Sequence, residues 1–304
     1  MAAVNGARVR FAGPREVDGS DGGLYNPGAW YDHDGELWTL LRREPVARCG
    51  DEVRSPILTH WPFGFRALRD VPFVGRLVDR QEDCRPFLYR GETLVVHTEV
   101  PNGVLSSSVR SAGIQPRMSR LVWEHDEVDD TCCLRAADQL ALPRLLDPVE
   151  KNWVLLTRHD DLYLVYSLDP LVIYRRLVPG QWHLAVYQET DWTRRTGKPP
   201  RNSTHLLPFD GGWLGWWHLI FDGSYVTGAY WLDEKLTLQA RTGILFDGQD
   251  VREGYKPGVL YLSSYVREDA DHLRLFWGEA DTWSSSQVVE VQWVRDRLTG
   301  GPHA

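Results

Sequence analysis

The chain has 304 residues, 42% hydrophobic and 25% charged, with a formal net charge of −8. That is ordinary globular composition, and its acidic balance argues against a phosphate-neutralising face for nucleic acid. No apolar run approaches a membrane span, and the opening MAAVNGARVR has no apolar core of a secretory leader. Four cysteines, Cys49, Cys84, Cys132 and Cys133, show no zinc-type spacing. Reduced thiols, no metal and a cytoplasmic location are therefore expected. Fourteen Trp and twelve Tyr exceed what a core needs, and such rings can serve as stacking platforms for flat or sugar ligands.

In chain order, the first apolar run is "GELWTLLRR" (35–43), and "GETLVVHTE" (91–99) repeats its pattern. "LRAADQLALPRLL" (134–146) predicts the single helix, interrupted by Pro143. Then come "DDLYLVYSL" (160–168), "GGWLGWWHL" (211–219) and "DHLRLFWGE" (271–279). A basic loop, "TRRTGKPPR" (193–201), precedes the fourth run and reads as a solvated loop or a lid for an anionic group. The runs are short, rich in Val, Leu, Trp and Tyr, and bounded by Gly, Asp and Pro, which is the strand-and-turn pattern. Aligned at Glu36, Glu92, Asp161, Gly212 and His272, they are spaced by 56, 69, 51 and 60 residues. Such a recurrence predicts an all-β, five-bladed β-propeller forming one domain over 1–304, with blade motifs near 25–43, 82–99, 151–168, 202–219 and 262–281.

Nine or ten residues before each aligned position stands a polar cluster. Counting back reaches Asn26, Asp83, Asn152, Ser203 and Ser263. Equivalent positions in propeller blades fall on a ring about the axis, so these residues, with Glu82 and Arg85 from the same motif as Asp83, are expected around one cavity. A second ring follows the runs: Arg42 and Arg43, Thr98 and Glu99, Ser167 with Asp169, His218, and Glu279 with Asp281.

The pieces "YNPGAWYDHDGELWTLLRR", "EDCRPFLYRGETLVVHTE", "EKNWVLLTRHDDLYLVYSLDP", "NSTHLLPFDGGWLGWWH" and "LRLFWGEADT" cover most of 24–283. In order and spacing they resemble the β-mannoside phosphorylase and hydrolase family of five-bladed propellers, and related propeller glycosyltransferases. The resemblance implies inversion at a central active site, with Asp83 as general acid working through a sugar hydroxyl. It implies that Asn26 and Arg42 hold the reacting sugar and that Lys151 helps to bind phosphate. Two departures stand out. Cys84 replaces the usual proline, and "VVHTEVPNG" lacks the Arg expected there for phosphate.

The residues carry readings of their own. Asp83 beside Glu82 suits a proton donor, or else an ion pair with Arg85. Glu82 either binds substrate or orients Arg85. Lys151 suits an anionic group, and Asn152 both donates to and accepts from hydroxyls. Ser203, His218 and Asp281 are candidate sugar ligands, against a satisfied core histidine and a turn-capping aspartate. The expected function is cleavage or transfer of a mannosyl-like unit by a phosphorylase or hydrolase. A glycosyltransferase using a sugar phosphate or nucleotide sugar, or a non-catalytic sugar-binding propeller, are the alternatives. No cofactor is expected, with inorganic phosphate or a sugar phosphate as co-substrate. The partner is a small carbohydrate, with no nucleic acid and no membrane.

Overall fold

The computed structural model describes residues 6–13, 22–45, 57–61, 69–71, 81–99, 115–125, 130–138 and 152–299; side chains at 22, 43–45, 57–61, 69–71, 81, 82, 99, 115, 123–125, 130–138 and 195 lie outside the description. Strand β1 (Val9–Ala12) is followed by a first sheet of β2 (Gly22–Tyr31), β3 (Leu37–Pro45), β4 (Ile57–Trp61) and β5 (Arg69–Val71). The second sheet holds β6 (Gln81–Tyr89), β7 (Glu92–Glu99), β8 (Gln115–His125) and β9 (Asp130–Asp138). The third holds β10 (Val154–Arg158), β11 (Asp161–Leu168), β12 (Leu171–Val178) and β13 (Gln181–Gln188). The fourth has six strands: β14 (Arg201–Asn202), β15 (Leu207–Phe209), β16 (Gly212–Phe221), β17 (Ser224–Leu232), β18 (Leu238–Arg241) and β19 (Phe246–Asp247). The fifth joins β20 (Leu260–Arg267), β21 (His272–Glu279) and β22 (Trp283–Glu290) to β1.

The arrangement is all-β and propeller-like. β2 touches β6 and β20, β6 touches β10, β11 touches β14, and β16 and β17 touch β20, so the sheets form a closed circle. The expectation of five equal blades needs correction. Among the described residues four sheets are regular four-stranded blades, and the fourth in chain order is split into shorter strands. The circle is locked by β1, which pairs antiparallel with β22 and so ties the first strand to the last sheet. Arg10 reinforces this closure with a 2.9 Å contact to Glu279.

Strand alternation explains why the runs are apolar throughout rather than every second residue. Successive side chains point to opposite faces, and here both faces meet another sheet. Leu162, Leu164 and Tyr166 of β11 pack with Phe87, Leu94 and Val96 of the second sheet. Tyr163, Val165 and Leu168 pack the other way, with Trp213, Trp217 and Leu219 of the fourth. The tryptophans do most of this filling. Trp153, Trp216 and Trp277 are at most 1% exposed, and Trp30, Trp182, Trp192, Trp213, Trp217 and Trp293 are also buried. The high aromatic content is thus mainly core, which corrects the reading of it as surplus stacking surface. Each such ring buries about 150–250 Å² and fills a wide inter-sheet gap with few rotatable bonds.

The helix expected over 134–146 is also corrected. Residues 134–138 belong to β9, paired with β8 from His125↔Asp130 to Met118↔Asp138. The Leu, Arg and Ala there favour helix weakly, and pairing at a sheet edge overrides such propensities; 139–146 lie outside the described residues. The helices present are α1 (Trp192–Thr196) and α2 (Val291–Thr299). α2 buries Val291, Trp293, Val294 and Leu298 against the fourth and fifth sheets. Within the described residues no helix is long and apolar enough to cross a membrane.

Two histidines are part of the frame. His97 Nε2 meets Ser119 Oγ at 2.8 Å. His205 accepts the Leu155 amide at Nδ1 (2.7 Å) and donates from Nε2 to the Arg85 carbonyl (2.7 Å), stitching the second, third and fourth sheets. Burial, helped by nearby arginines, pushes each imidazole down to about 3. Both are therefore neutral in the fold, while the unfolded chain protonates them near 6.5. Stability from these groups is complete above that pH and is lost as pH falls toward 3. Urea denaturation should show a decline of about 1.4 kcal/mol per pH unit for each histidine in that window. His205→Gln should flatten the slope by one histidine's share, and an unchanged slope would contradict the assignment.

Candidate active site

The site begins with irregularities in the innermost strands. The β6–β7 ladder slips between Glu82 and Arg85, the β2–β3 ladder between Tyr25 and Gly28, and the β20–β21 ladder between Leu262 and Ser264. At the slips Asn26 and Asp83 take φ of 51°, and Asn152, just before β10, takes 67°. That left-handed region is least costly for Asn and Asp among non-glycine residues. A bulge of this kind re-aims a side chain out of the sheet's regular alternation. Three of the five ring positions thus owe their residue type to backbone geometry as well as chemistry. Ser203 and Ser263 are not among the left-handed positions, although Ser263 sits at the β20 slip.

Arg85 is the centre of the arrangement. It is 2% exposed. Its Nε donates to the Ser203 carbonyl (2.9 Å) and Nη1 to the Asp83 carbonyl (3.3 Å). Nη2 donates to Asn152 Oδ1 (2.8 Å) and also bonds Tyr261 Oη. One guanidinium therefore joins residues from the second, third, fourth and fifth sheets. Burial alone would lower its pKa, but Tyr261 and Asp83 more than offset this and hold it charged.

Asp83 sits beside this hub with its side chain 11% exposed. Its Oδ1 accepts the Asn26 amide at 2.8 Å and faces Arg42 Nη1 at 3.3 Å. Arg42 in turn lies over the Tyr25 ring, 5.1 Å from its centroid. The next residue, Cys84, is buried, and burial together with the Asp83 charge pushes its thiol up to about 12. It is a small apolar spacer here rather than a nucleophile. Two glycines permit the packing. A Cβ on Gly278 would stand 2.0 Å from Asn26 Oδ1, and one on Gly28 would stand 2.1 Å from the Cys84 carbonyl.

An aromatic wall continues from the hub. His218 bonds Ser203 Oγ through Nδ1 (2.9 Å), stacks on Tyr225 (5.8 Å, 8°) and meets Tyr261 edge-on (5.0 Å). The Tyr225 hydroxyl is raised by burial and by the charges of Asp281 and Asp83, with Lys256 and Arg201 acting against them. Four charged groups therefore surround one phenol. Lys256 and Asp281 pair at 2.6 Å.

No family model matches the chain, and no curated protein matches it. Solved structures do. A β-1,2-mannobiose phosphorylase from Listeria innocua, in complex with β-1,2-mannobiose, is 14% identical with a TM-score of 0.67, over 97% of this chain and 99% of the other. A structure from the GH130 family of mannoside phosphorylases, described as containing hydrolases of β-1,2 mannosidic linkages in Candida mannan, is 13% identical with a TM-score of 0.65, over 94% of each chain. A GDP-Man-dependent mannosyltransferase from Leishmania mexicana is 13% identical with a TM-score of 0.56, over 88% and 85%. The likeness is in the fold.

The structure brings Asn26, Arg42, Asp83, Arg85, Asn152, Ser203 and His218 together, while Asp281 pairs with Lys256. Lys151 lies outside the described residues, as does the side chain of Glu82, whose backbone pairs with Thr98. Ser263 points elsewhere, donating to the Pro27 carbonyl at 2.8 Å. The fifth sheet's share of the hub is Tyr261, two residues earlier. Tyr261, Tyr225, Arg201 and Lys256 escaped the sequence reading because only the slip in β20 and the cross-sheet contacts single them out. The second ring is not one surface: Glu279 bonds Ser285 and Arg10, and Asp169 holds the start of α1 through Thr193. That anchoring fixes the helical first half of the basic 193–201 segment, which departs from a free lid.

Removing the hub cation tests its structural weight. Arg85→Met should leave two carbonyls, Asn152 and Tyr261 without their donor. A loss of about 3–5 kcal/mol in denaturant unfolding is expected, the usual cost of breaking a buried charge network. A loss under about 1 kcal/mol would show that the hub does not hold the sheets.

Proposed function

We propose that the protein is a carbohydrate-active enzyme that cleaves a mannosyl-like glycoside with inversion, at the polar end of a five-bladed propeller whose split sheet serves as the fifth blade. The observation that carries the reading is Asp83: a single carboxylate at a bulge, oriented by Asn26 and Arg42, at the rim of a hub joining several sheets. The fold shared with mannoside phosphorylases and hydrolases supports it. In this mechanism the glycosidic C–O bond breaks, and a proton originating on Asp83 reaches the departing oxygen. Inorganic phosphate, or water whose proton passes to a second carboxylate, attacks the anomeric carbon from the opposite face. Asn26, Arg42, Asn152 and His218 hold the sugar. Arg85 positions Asn152 rather than binding substrate, since four of its five N–H groups are committed.

With Arg85 committed, phosphorolysis needs Lys151 as the anion site, and hydrolysis needs a second carboxylate, Glu82 or Asp281, as base. A second reading, transfer from a sugar phosphate or nucleotide sugar, is favoured by Arg201 and Lys256 near Tyr225 and by the mannosyltransferase fold neighbour. Product formation from β-mannosides with and without phosphate, and from mannose 1-phosphate and GDP-mannose, separates these readings.

Asp83→Asn keeps the shape and removes the proton. It should still fold and bind sugar, yet lose at least about a hundredfold in turnover of a glycoside with a poor leaving group. An activated aryl glycoside, which needs less protonation, should lose less. Turnover within about threefold of wild type would remove Asp83 from the acid role. Gly278→Ala should press on Asn26 and slow turnover on the order of ten- to a hundredfold, the scale of a displacement of about 1 Å. Unchanged kcat in Gly278→Ala would detach Asn26 from the reaction.

A further inference from the structure

The innermost strands do not end at the active site. About three residues beyond Asn26, Asp83 and Ser203, and a few beyond Asn152, each strand reaches the other end of the propeller axis, about 10 Å away at about 3.3 Å per residue. There the strands enclose a cavity of about 490 Å³, to which all five sheets contribute. That volume lies within the range of small-molecule sites. Its wall is aromatic and aliphatic: Trp30, Tyr31, Phe87, Leu88, Tyr265 and Val266. Leu88 stands 39% exposed at its rim.

The polar groups of the floor are already engaged. Ser263 and Ser264 both donate to the Pro27 carbonyl. Tyr265 donates to the Leu214 carbonyl and accepts from the Leu207 amide. His205 uses both ring nitrogens. Arg85 is committed to the hub, and Arg267 caps the carbonyls of Asp269 and Ala270. Among the described residues no carboxylate side chain lines the cavity. A sugar or phosphate placed there would give up its hydrogen bonds to water and find few in return. The remaining polar groups of the wall are the buried Trp30 indole N–H, without a partner among the described residues, and the hydroxyls of Tyr31 and Thr157.

From this we infer that the end of the axis opposite the active site is a second binding site, for an uncharged aromatic or alicyclic small molecule carrying at most one hydrogen-bond acceptor. The guest rests between Phe87, Tyr265 and Trp30, with the Arg85 and His205 layer between it and the funnel. The inference does not rest on the reaction assigned to Asp83.

The test uses N-phenyl-1-naphthylamine, an uncharged apolar fluorophore, with the full chain. Wild type should bind it saturably, one to one, and mannose or mannobiose should not displace it. Thr157→Trp, which fills the cavity from its wall, should abolish binding. Leu88→Asp, at the partly exposed rim, should weaken it at least tenfold. In wild type, nuclear Overhauser contacts from the probe to Leu88, Leu207 and Val266 methyls read the same site without any substitution. Displacement by sugar, equal binding by both variants, absence of saturable binding, or probe contacts to other residues would each overturn the assignment. Loss of the Asp83 activity prediction would leave these outcomes untouched.

Discussion

One buried guanidinium governs the architecture. Arg85 is charged and almost wholly removed from water, a state that is costly unless every side of the ion is met. It is met only when the Ser203 carbonyl, the Asn152 amide and the Tyr261 hydroxyl converge with the Asp83 carbonyl. Those four groups come from four sheets with long stretches of chain between them. The cost of leaving the cation unsatisfied thus becomes a constraint on how the sheets are set about the axis. The apolar packing between sheets supplies the bulk of the cohesion, but such packing tolerates small slips. A hydrogen-bonded ion does not, because its bonds weaken steeply with angle and distance.

The candidate acid inherits its placement from this hub. Asp83 and Arg85 share a strand, and the bulge between Glu82 and Arg85 turns Asp83 off the sheet's normal alternation. Fixing Arg85 therefore fixes the backbone from which Asp83 projects. Asn26 and Arg42 then hold the carboxylate from the first sheet. His205 binds the Arg85 carbonyl from behind, so a neutral imidazole backs the same short segment. Catalytic groups need positioning on the scale of tenths of an ångström, and rigid strands with satisfied second partners provide it better than loops do.

The two ends of the axis are chemically unlike. At one end stand Asn26, Asp83 and Asn152 on left-handed backbone, Asn26 bonded to Asp83 and Asn152 to Arg85. A few residues on, the same strands present Phe87, Leu88, Tyr265 and Val266. The layer that separates them is made of groups that have found partners within the protein. A single set of strands so provides a polar mouth and an apolar one.

The repeat, its spacing and the position of the polar clusters were legible in the sequence, because strand runs bounded by Gly and Asp are local signals. "EDCR" and "YNPG" were legible as polar clusters at a fixed offset from the runs, whereas the bulges that carry Asp83 and Asn26 emerged only in the structure. What the sequence could not decide was long-range. "LRAAD" has the local preference of a helix, and only an edge strand to pair with makes it β9. Tyr261, rather than the counted Ser263, reaches the hub because a slip in the ladder shifts which residue faces inward. Arg85 reads as a substrate ligand in the sequence, and only the structure shows four of its N–H groups engaged with groups from four sheets. The β9 pairing and the β20 slip are settled by the neighbouring strand, and the Arg85 contacts by Asn152 and Tyr261, both more than 60 residues away; local propensity encodes neither.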